Sequence, residues 1–181
     1  MKRIIERTIV LSGLFAVITA ANVFGQAVAT APATPTAVKY STEEDLMADV
    51  KLGPCKNGDR LAAVKALFKR MGASDSDIKV ETIDGSENVV VNKKGKTDEI
   101  VIIGGHYDKV DIGCGIVDNW TGIVIVAHLY RTMAKMDTNR SYKFVAFDRE
   151  EQGLIGSKDM AKAIAKEDRV KYCSMVNLDS F

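Results

Sequence analysis

The sequence predicts an α/β domain, a central mixed and largely parallel β-sheet flanked by helices on both faces. Three observations carry this. Beyond position 104, segments of helical period alternate with short apolar runs, the order that builds parallel sheets. Residues 100–103, Ile-Val-Ile-Ile, are continuously apolar, as expected of a strand covered on both faces. The residues able to do chemistry fall mostly just after predicted strands, at the edge where such sheets collect ligands.

The N-terminal segment is a different material. Positions 8–38, a run of 31 residues, hold no charge; Lys2, Arg3 and Arg7 precede an apolar stretch at 9–24 that ends in small residues near Gly25 and Ala27. This is the pattern of a secretory signal peptide, here residues 1–25. Ser12, Thr19 and Asn22 interrupt the stretch, and it falls short of the roughly 20 residues that span a bilayer, so a cleaved leader is expected, not an anchor. The protein is expected in the periplasm or outside the cell, meeting the membrane only during export. Residues 26–40 are Ala, Thr, Val and Pro in the main, including Pro32 and Pro35, and read as an extended linker. The folded domain is expected over 41–181.

Ser41, with Glu44 three residues on, makes a capping box ahead of Leu46, Met47 and Val50 and predicts a first helix. Leu61, Val64, Leu67, Phe68 and Met71 share one face of a second, with Gly72 where its C-terminal cap belongs. Both read as structural helices without chemistry. Strands follow at 78–83, 88–92 and 99–104, separated by an Asp84-Gly85 turn and a lysine-rich, solvated turn at 93–96. Then come a helix at 121–136, a strand at 142–147, a helix at 157–165 and a last strand at 172–178.

Twenty-five Lys and Arg against 24 Asp and Glu leave a net charge of +1, with no basic excess to suggest nucleic-acid binding. Three cysteines, Cys55, Cys114 and Cys173, allow at most one disulfide within the chain; the sequence does not choose the pair.

Four clusters carry the chemistry: Gly105-His106-Tyr107-Asp108, Val117-Asp118-Asn119, Arg149-Glu150-Glu151 and Asn177-Leu178-Asp179. Histidine and carboxylates offer the nitrogen and oxygen donors that suit zinc, and adjacent glutamates let one bind metal while its neighbour handles protons. In His106-x-Asp108 the carboxylate is placed to fix the second ring nitrogen of a ligating histidine. A metal-dependent hydrolase is the natural expectation.

In this order the motifs His-Tyr-Asp (106–108), Asp-Asn-Trp-Thr-Gly (118–122), Asp-Arg-Glu-Glu-Gln-Gly-Leu-Ile-Gly-Ser (148–157) and Asn-Leu-Asp (177–179) resemble the co-catalytic zinc aminopeptidase family. That family takes in aminopeptidase Y, bacterial leucyl aminopeptidases and glutaminyl cyclases. The likeness runs from about residue 88 to 179. Related deacylases and carboxypeptidases share the His-x-Asp and Glu-Glu elements, but Gly-Leu-x-Gly-Ser after the glutamates favours the aminopeptidases, and Gly122 after Asp118-Asn119 looks more peptidase-like than cyclase-like. The resemblance implies peptide substrates and two zinc ions. His106 and Asp179 would bind the first zinc, Asp118 would bridge both, and Glu151 would bind the second. Glu150 would be the general base toward the attacking water, and Asp108 would orient His106.

The family has a further metal-binding histidine well downstream of the position of Asp179. The histidines here are His106 and His128, and ten residues of helix place His128 about 15 Å from Asp118, so it reads as structural. One site keeps three ligands, His106, Asp118 and Asp179; the other keeps Asp118 and Glu151. The expectation is a domain incomplete at its C-terminal end that holds at most one zinc firmly and hydrolyses peptides poorly or not at all, with apolar surface uncovered around 172–178. Oligomeric state is not legible. The competing readings are a one-zinc cyclotransferase of the glutaminyl-cyclase type and a non-catalytic binding domain. Trp120 and Tyr107 read as packing at least as readily as pocket lining, and Cys114 is set aside as a ligand.

Overall fold

The computed structural model describes residue 38 and residues 40–181. The proposed signal peptide and nearly all of the linker lie outside the described residues. Among the described residues, no helix is long and apolar enough to cross a membrane.

Helices α1 (Glu43–Val50) and α2 (Asn57–Arg70) precede β1 (Ile78–Ile83), β2 (Ser86–Lys93) and β3 (Ile100–His106). Then follow α3 (Thr121–Met133), β4 (Ser141–Phe147), α4 (Ile155–Ala163) and β5 (Tyr172–Asn177). The five strands form one sheet in the order β1-β2-β4-β3-β5. β1 and β2 are an antiparallel hairpin, and β2 runs antiparallel to β4. β3 runs parallel to β4 on one side and β5 on the other, with Ile103 opposite both Phe144 and Val176. The apolar run at 100–103 is thus an interior strand, as its composition required, while β4 takes the middle place. Because β3, β4 and β5 are parallel, their carboxyl ends share one edge of the sheet.

Side chains alternate across the sheet with the strand period of two. Val89, Val91, Ile103, Phe144 and Ala146 face α2 and α3, where they meet Leu67, Phe68, Ile123, Ala127 and Tyr130. Val90, Val145 and Phe147 face the other way, onto Met160 of α4. Helices therefore cover both faces. Each fully buried aliphatic or aromatic side chain contributes about 1.5–3 kcal/mol.

α2 stops where expected: Gly72 adopts φ +98°, Ala73 N–H reaches back to Phe68 O (3.0 Å) and Gly72 N–H to Lys69 O (2.9 Å), which satisfies the last carbonyls of the helix. The start of α1 differs from the sequence expectation. Thr42, not Ser41, is the cap: its hydroxyl accepts from Asp45 N–H (3.2 Å) and the Asp45 carboxylate accepts from Thr42 N–H (3.4 Å). Both registers have the required spacing, but the Ser41 hydroxyl is engaged by His128 Nδ1 (2.6 Å) and the Arg131 guanidinium (2.8 Å). Lys93 also departs from a solvated turn; it is buried, and its ammonium donates to the Thr138 hydroxyl at 2.8 Å. Cys55 and Cys114 form the disulfide, and Cys173 is free and exposed. Along β5, Met175 and Val176 are about half exposed.

Candidate metal centre

The parallel strands deliver His106, Glu150 and Asp179 to one edge of the sheet: His106 ends β3, Glu150 follows β4 by three residues and Asp179 follows β5 by two. Asp118 comes from the segment Ile116–Trp120, whose backbone leaves helical geometry at Asp118 (φ −112°, ψ 99°) before α3 begins. The Asp118–Asn119 peptide bond is cis.

His106 is buried and its two ring nitrogens have different surroundings. Nδ1 stands 3.3 Å from the Asp108 carboxylate and 3.2 Å from the Asp108 carbonyl. Nε2 points at carboxylates: Asp118 Oδ1 at 3.0 Å, Glu150 Oε2 at 3.8 Å and Asp179 Oδ1 at 3.8 Å. Two sets of ligand atoms lie within 4.8 Å of one another, His106 with Asp118 and Asp179, and His106 with Glu150 and Glu151. The first is the three-ligand set expected from the sequence. Glu151 groups with His106 and Glu150, where the sequence reading paired it with Asp118. Asp118 and Asp179 are 58% and 44% exposed, so the carboxylate side opens to solvent while the histidine is held from behind.

Asp108 serves two elements at once. Besides His106, its carboxylate accepts the backbone N–H groups of Glu150 (2.9 Å) and Glu151 (3.1 Å), fixing the acidic loop relative to the histidine. Burial works against its charge, but the His106 contact and these two amides hold its carboxyl below the usual range. Burial likewise works against a charged His106, yet the Asp108 hydrogen bond and the charges of Asp108, Glu150 and Asp118 prevail and raise its pKa to about 8. Burial and then the charge of Asp118 push Glu151 upward. The donor set fits zinc: one imidazole nitrogen, its partner nitrogen already engaged, faces oxygen donors that the same local field keeps close.

The supporting amides were not foreseen. Asn88 donates to Gly156 O (2.8 Å) and accepts from Asp148 N–H (3.0 Å), gripping both ends of the Glu150–Glu151 loop. Asn57 exchanges a pair of bonds with the backbone of Lys109, at 2.7 and 2.9 Å. Asn119 Oδ1 accepts Gly122 N–H (3.1 Å) at the start of α3. Gly122 needs to be glycine here, because a β-carbon would stand 2.5 Å from Leu178 O and against the Asn119 side chain. Asn119 lies within the Asp-Asn-Trp-Thr-Gly motif (118–122) and Asn88 at the start of the family likeness, whereas Asn57 falls in neither.

Trp120 is a packing residue, fully buried with Nε1 donating to Asp49 O (3.0 Å); Tyr107 is buried, its hydroxyl donating to Glu87 O (3.0 Å), and also lines a cleft. Cys114 is consumed by the disulfide. His128 joins Asp49 Oδ2 (2.9 Å) and Ser41 between α3 and α1 and has no part in the acidic cluster. A cleft of about 300 Å³, lined by Asn57, Leu61, Tyr107, Asp108, Asp148 and Gln152, lies beside the site.

The model of peptidase family M28 matches residues 88–181. Aminopeptidase Y of Saccharomyces cerevisiae is 31% identical over 129 residues, 70% of this chain and 24% of its own length. Aminopeptidase YwaD of Bacillus subtilis is 29% identical over 105 residues, 56% of this chain and 23% of its own. The chain thus spans about a quarter of the length of these relatives. Among solved structures, an aminopeptidase from Aneurinibacillus sp. strain AM-1 superimposes with a TM-score of 0.51 at 34% identity, over 52% of this chain and 24% of that one. An Acidobacteriales bacterium glutaminyl cyclase gives a TM-score of 0.64 at 17% identity, over 83% and 62% of the two chains, a likeness of fold.

Proposed function

The chain belongs to peptidase family M28, and from that membership we propose that it is the zinc-binding part of an exported exopeptidase that removes residues from the N-termini of peptides. One observation supports the reading above the others: a buried imidazole, tied at Nδ1 to Asp108, directs Nε2 at the carboxylates of Asp118, Glu150 and Asp179. His106, Asp118 and Asp179 would hold the zinc. Because both ligand sets depend on the one imidazole of His106, the described residues are read as binding one ion firmly. When bound, zinc would supply Lewis-acid polarisation of a peptide carbonyl and make water a better nucleophile near neutral pH.

The chain's own groups do the rest. Glu150, a third exposed, faces the same space as His106 Nε2 and is assigned as the base whose carboxylate takes the proton from the attacking water and returns it to the leaving amine. Asp108 keeps His106 in the tautomer with Nε2 free and, through the two backbone amides it accepts, keeps Glu150 at its post. Glu151 adds negative charge beside the site, suited to a substrate's α-ammonium group or to a second, weaker ion. The charge-free N-terminal segment with its basic start supports export.

The test is release of free N-terminal amino acids from short unblocked peptides by the zinc-loaded chain, with N-acetylated peptides as controls. Release that requires zinc and a free amine supports the reading. Cyclisation of N-terminal glutamine without release would replace it by a cyclotransferase, and tight zinc binding without either reaction by a binding domain.

A further inference from the structure

Arg60 lies on α2, outside the stretch matched to the family, yet it is fully buried at the back of the metal site. Its hydrogen bonds run to main-chain carbonyls: Nε to Pro54 (3.0 Å), Nη1 to Tyr107 (2.8 Å), and Nη2 to Cys114 (2.6 Å) and Gly115 (2.7 Å). The guanidinium sits 5.8 Å from the centre of the Trp120 ring. A buried charge is costly unless its donors are filled and opposite charge stands near. The acidic charges acting on it are those of Asp108, Asp118 and Glu151, all residues of the site.

The carbonyls it grips are informative. Tyr107 lies between His106 and Asp108. The Gly115 carbonyl also accepts Trp120 N–H (3.2 Å), closing the turn that contains Asp118. One side chain therefore ties the beginning and the end of the loop that joins the histidine to Asp118. The Cys55–Cys114 disulfide and the Asn57–Lys109 bonds attach the same loop to the start of α2.

We propose that Arg60 is a positioning residue for the metal, setting the separation of His106 and Asp118 through the carbonyls of residues 107, 114 and 115. This rests on the zinc reading above. Lysine retains the charge but lacks the planar fork that spans several carbonyls, and methionine fills the space with neither.

Zinc affinity is to be measured for the wild-type chain and for Arg60→Met, Arg60→Lys and Val64→Ala by competition with a chromophoric chelator, and the cobalt(II) absorption spectrum recorded for each. Val64 is a core residue of the same helix and reports lost stability alone. Both Arg60 variants should bind zinc about 10- to 100-fold more weakly, the range for groups that orient metal ligands, and alter the cobalt spectrum. Val64→Ala should leave both unchanged. If Arg60→Met does not fold, Arg60→Lys decides. Unchanged affinity in a folded Arg60 variant overturns the proposal, as does an equal loss in Val64→Ala. So does tighter binding in Arg60→Met, which would make the residue a mere repelling charge. A wild-type chain that binds no zinc would remove the zinc reading itself, a separate result.

Discussion

Asn119 donates its side-chain amide to the carbonyl of Leu178 at 2.9 Å, across 59 residues of sequence. Its oxygen accepts the backbone N–H groups of Gly122 (3.1 Å) and Ser180 (3.2 Å). The side chain is fully buried, follows Asp118 directly and holds the backbone on both sides of Asp179. Two proposed ligands from opposite ends of the domain are thus registered by one amide.

Asn119→Ala should therefore act on stability and metal together. It leaves a carbonyl and two N–H groups short of partners, a loss of about 1–3 kcal/mol per unsatisfied buried group where water does not replace it. Denaturant unfolding with and without zinc checks this: the variant should be less stable without metal and gain less from zinc than wild type. An alanine variant with wild-type zinc stabilisation would show that Asp179 is placed by other means.

The pH dependence of zinc binding follows from His106, whose pKa in the metal-free protein is about 8. Zinc takes a neutral imidazole, so binding at pH 7 should expel about one proton, and affinity should weaken as the pH falls below 8. Calorimetry in buffers of different ionisation enthalpy measures the proton count; a count of zero at pH 7 would contradict the geometry. Stability without metal runs the opposite way. The folded pKa is raised above the ordinary value of 6.5, so the charged histidine stabilises fully below pH 6.5, and this contribution is lost as pH rises through 8. Asp108, held low, contributes stability that disappears as acid protonates it.

Much of this site is legible in the sequence because three of its proposed residues, His106, Glu150 and Asp179, stand at or just past the carboxyl ends of strands. Once the 100–103 run is read as an interior strand, His106 has to emerge at its edge, and parallel neighbours carry Glu150 and Asp179 to the same edge. The clamps were not legible. Arg60 reaches carbonyls about 50 residues away, and main-chain carbonyls leave no mark of residue type for a sequence to display. An arginine at that place on a helix with an apolar face reads as a solvated neighbour of the core. The disulfide was open for a similar reason, since pairing Cys55 with Cys114 depends on how the loop before Asp118 folds back onto α2. The cap of α1 slipped by one residue because His128, from another helix, claims the Ser41 hydroxyl.

Glu150→Gln separates the enzyme readings from a binding role. The substitution keeps the shape and removes the basic oxygen, while the Glu150 N–H bond to Asp108 is a backbone bond and survives. Zinc binding and melting temperature should stay close to wild type, and any peptidase or cyclase turnover should fall by about 10²- to 10⁴-fold, the usual contribution of a general base. Turnover measured at saturating zinc decides; an unchanged rate would move the proton-transfer role to another carboxylate, with Glu151 the nearest candidate.

β5 carries the last prediction. It is hydrogen-bonded to β3 on one side, its other side is the edge of the sheet, and Met175 and Val176 are about half exposed on opposite faces, with Phe181 exposed beyond it. Unpaired backbone groups flanked by apolar side chains are a template for pairing with another strand. The purified 181-residue chain should self-associate as its concentration rises, by sedimentation velocity. Val176→Lys should shift it toward monomer, because a lysine on an edge strand must keep its charge in water and resists a second strand. Zinc affinity should not change, since Val176 lies on the strand before the Leu178 carbonyl that Asn119 holds. A monomer at all concentrations would mean that the edge is already protected by the residues around it.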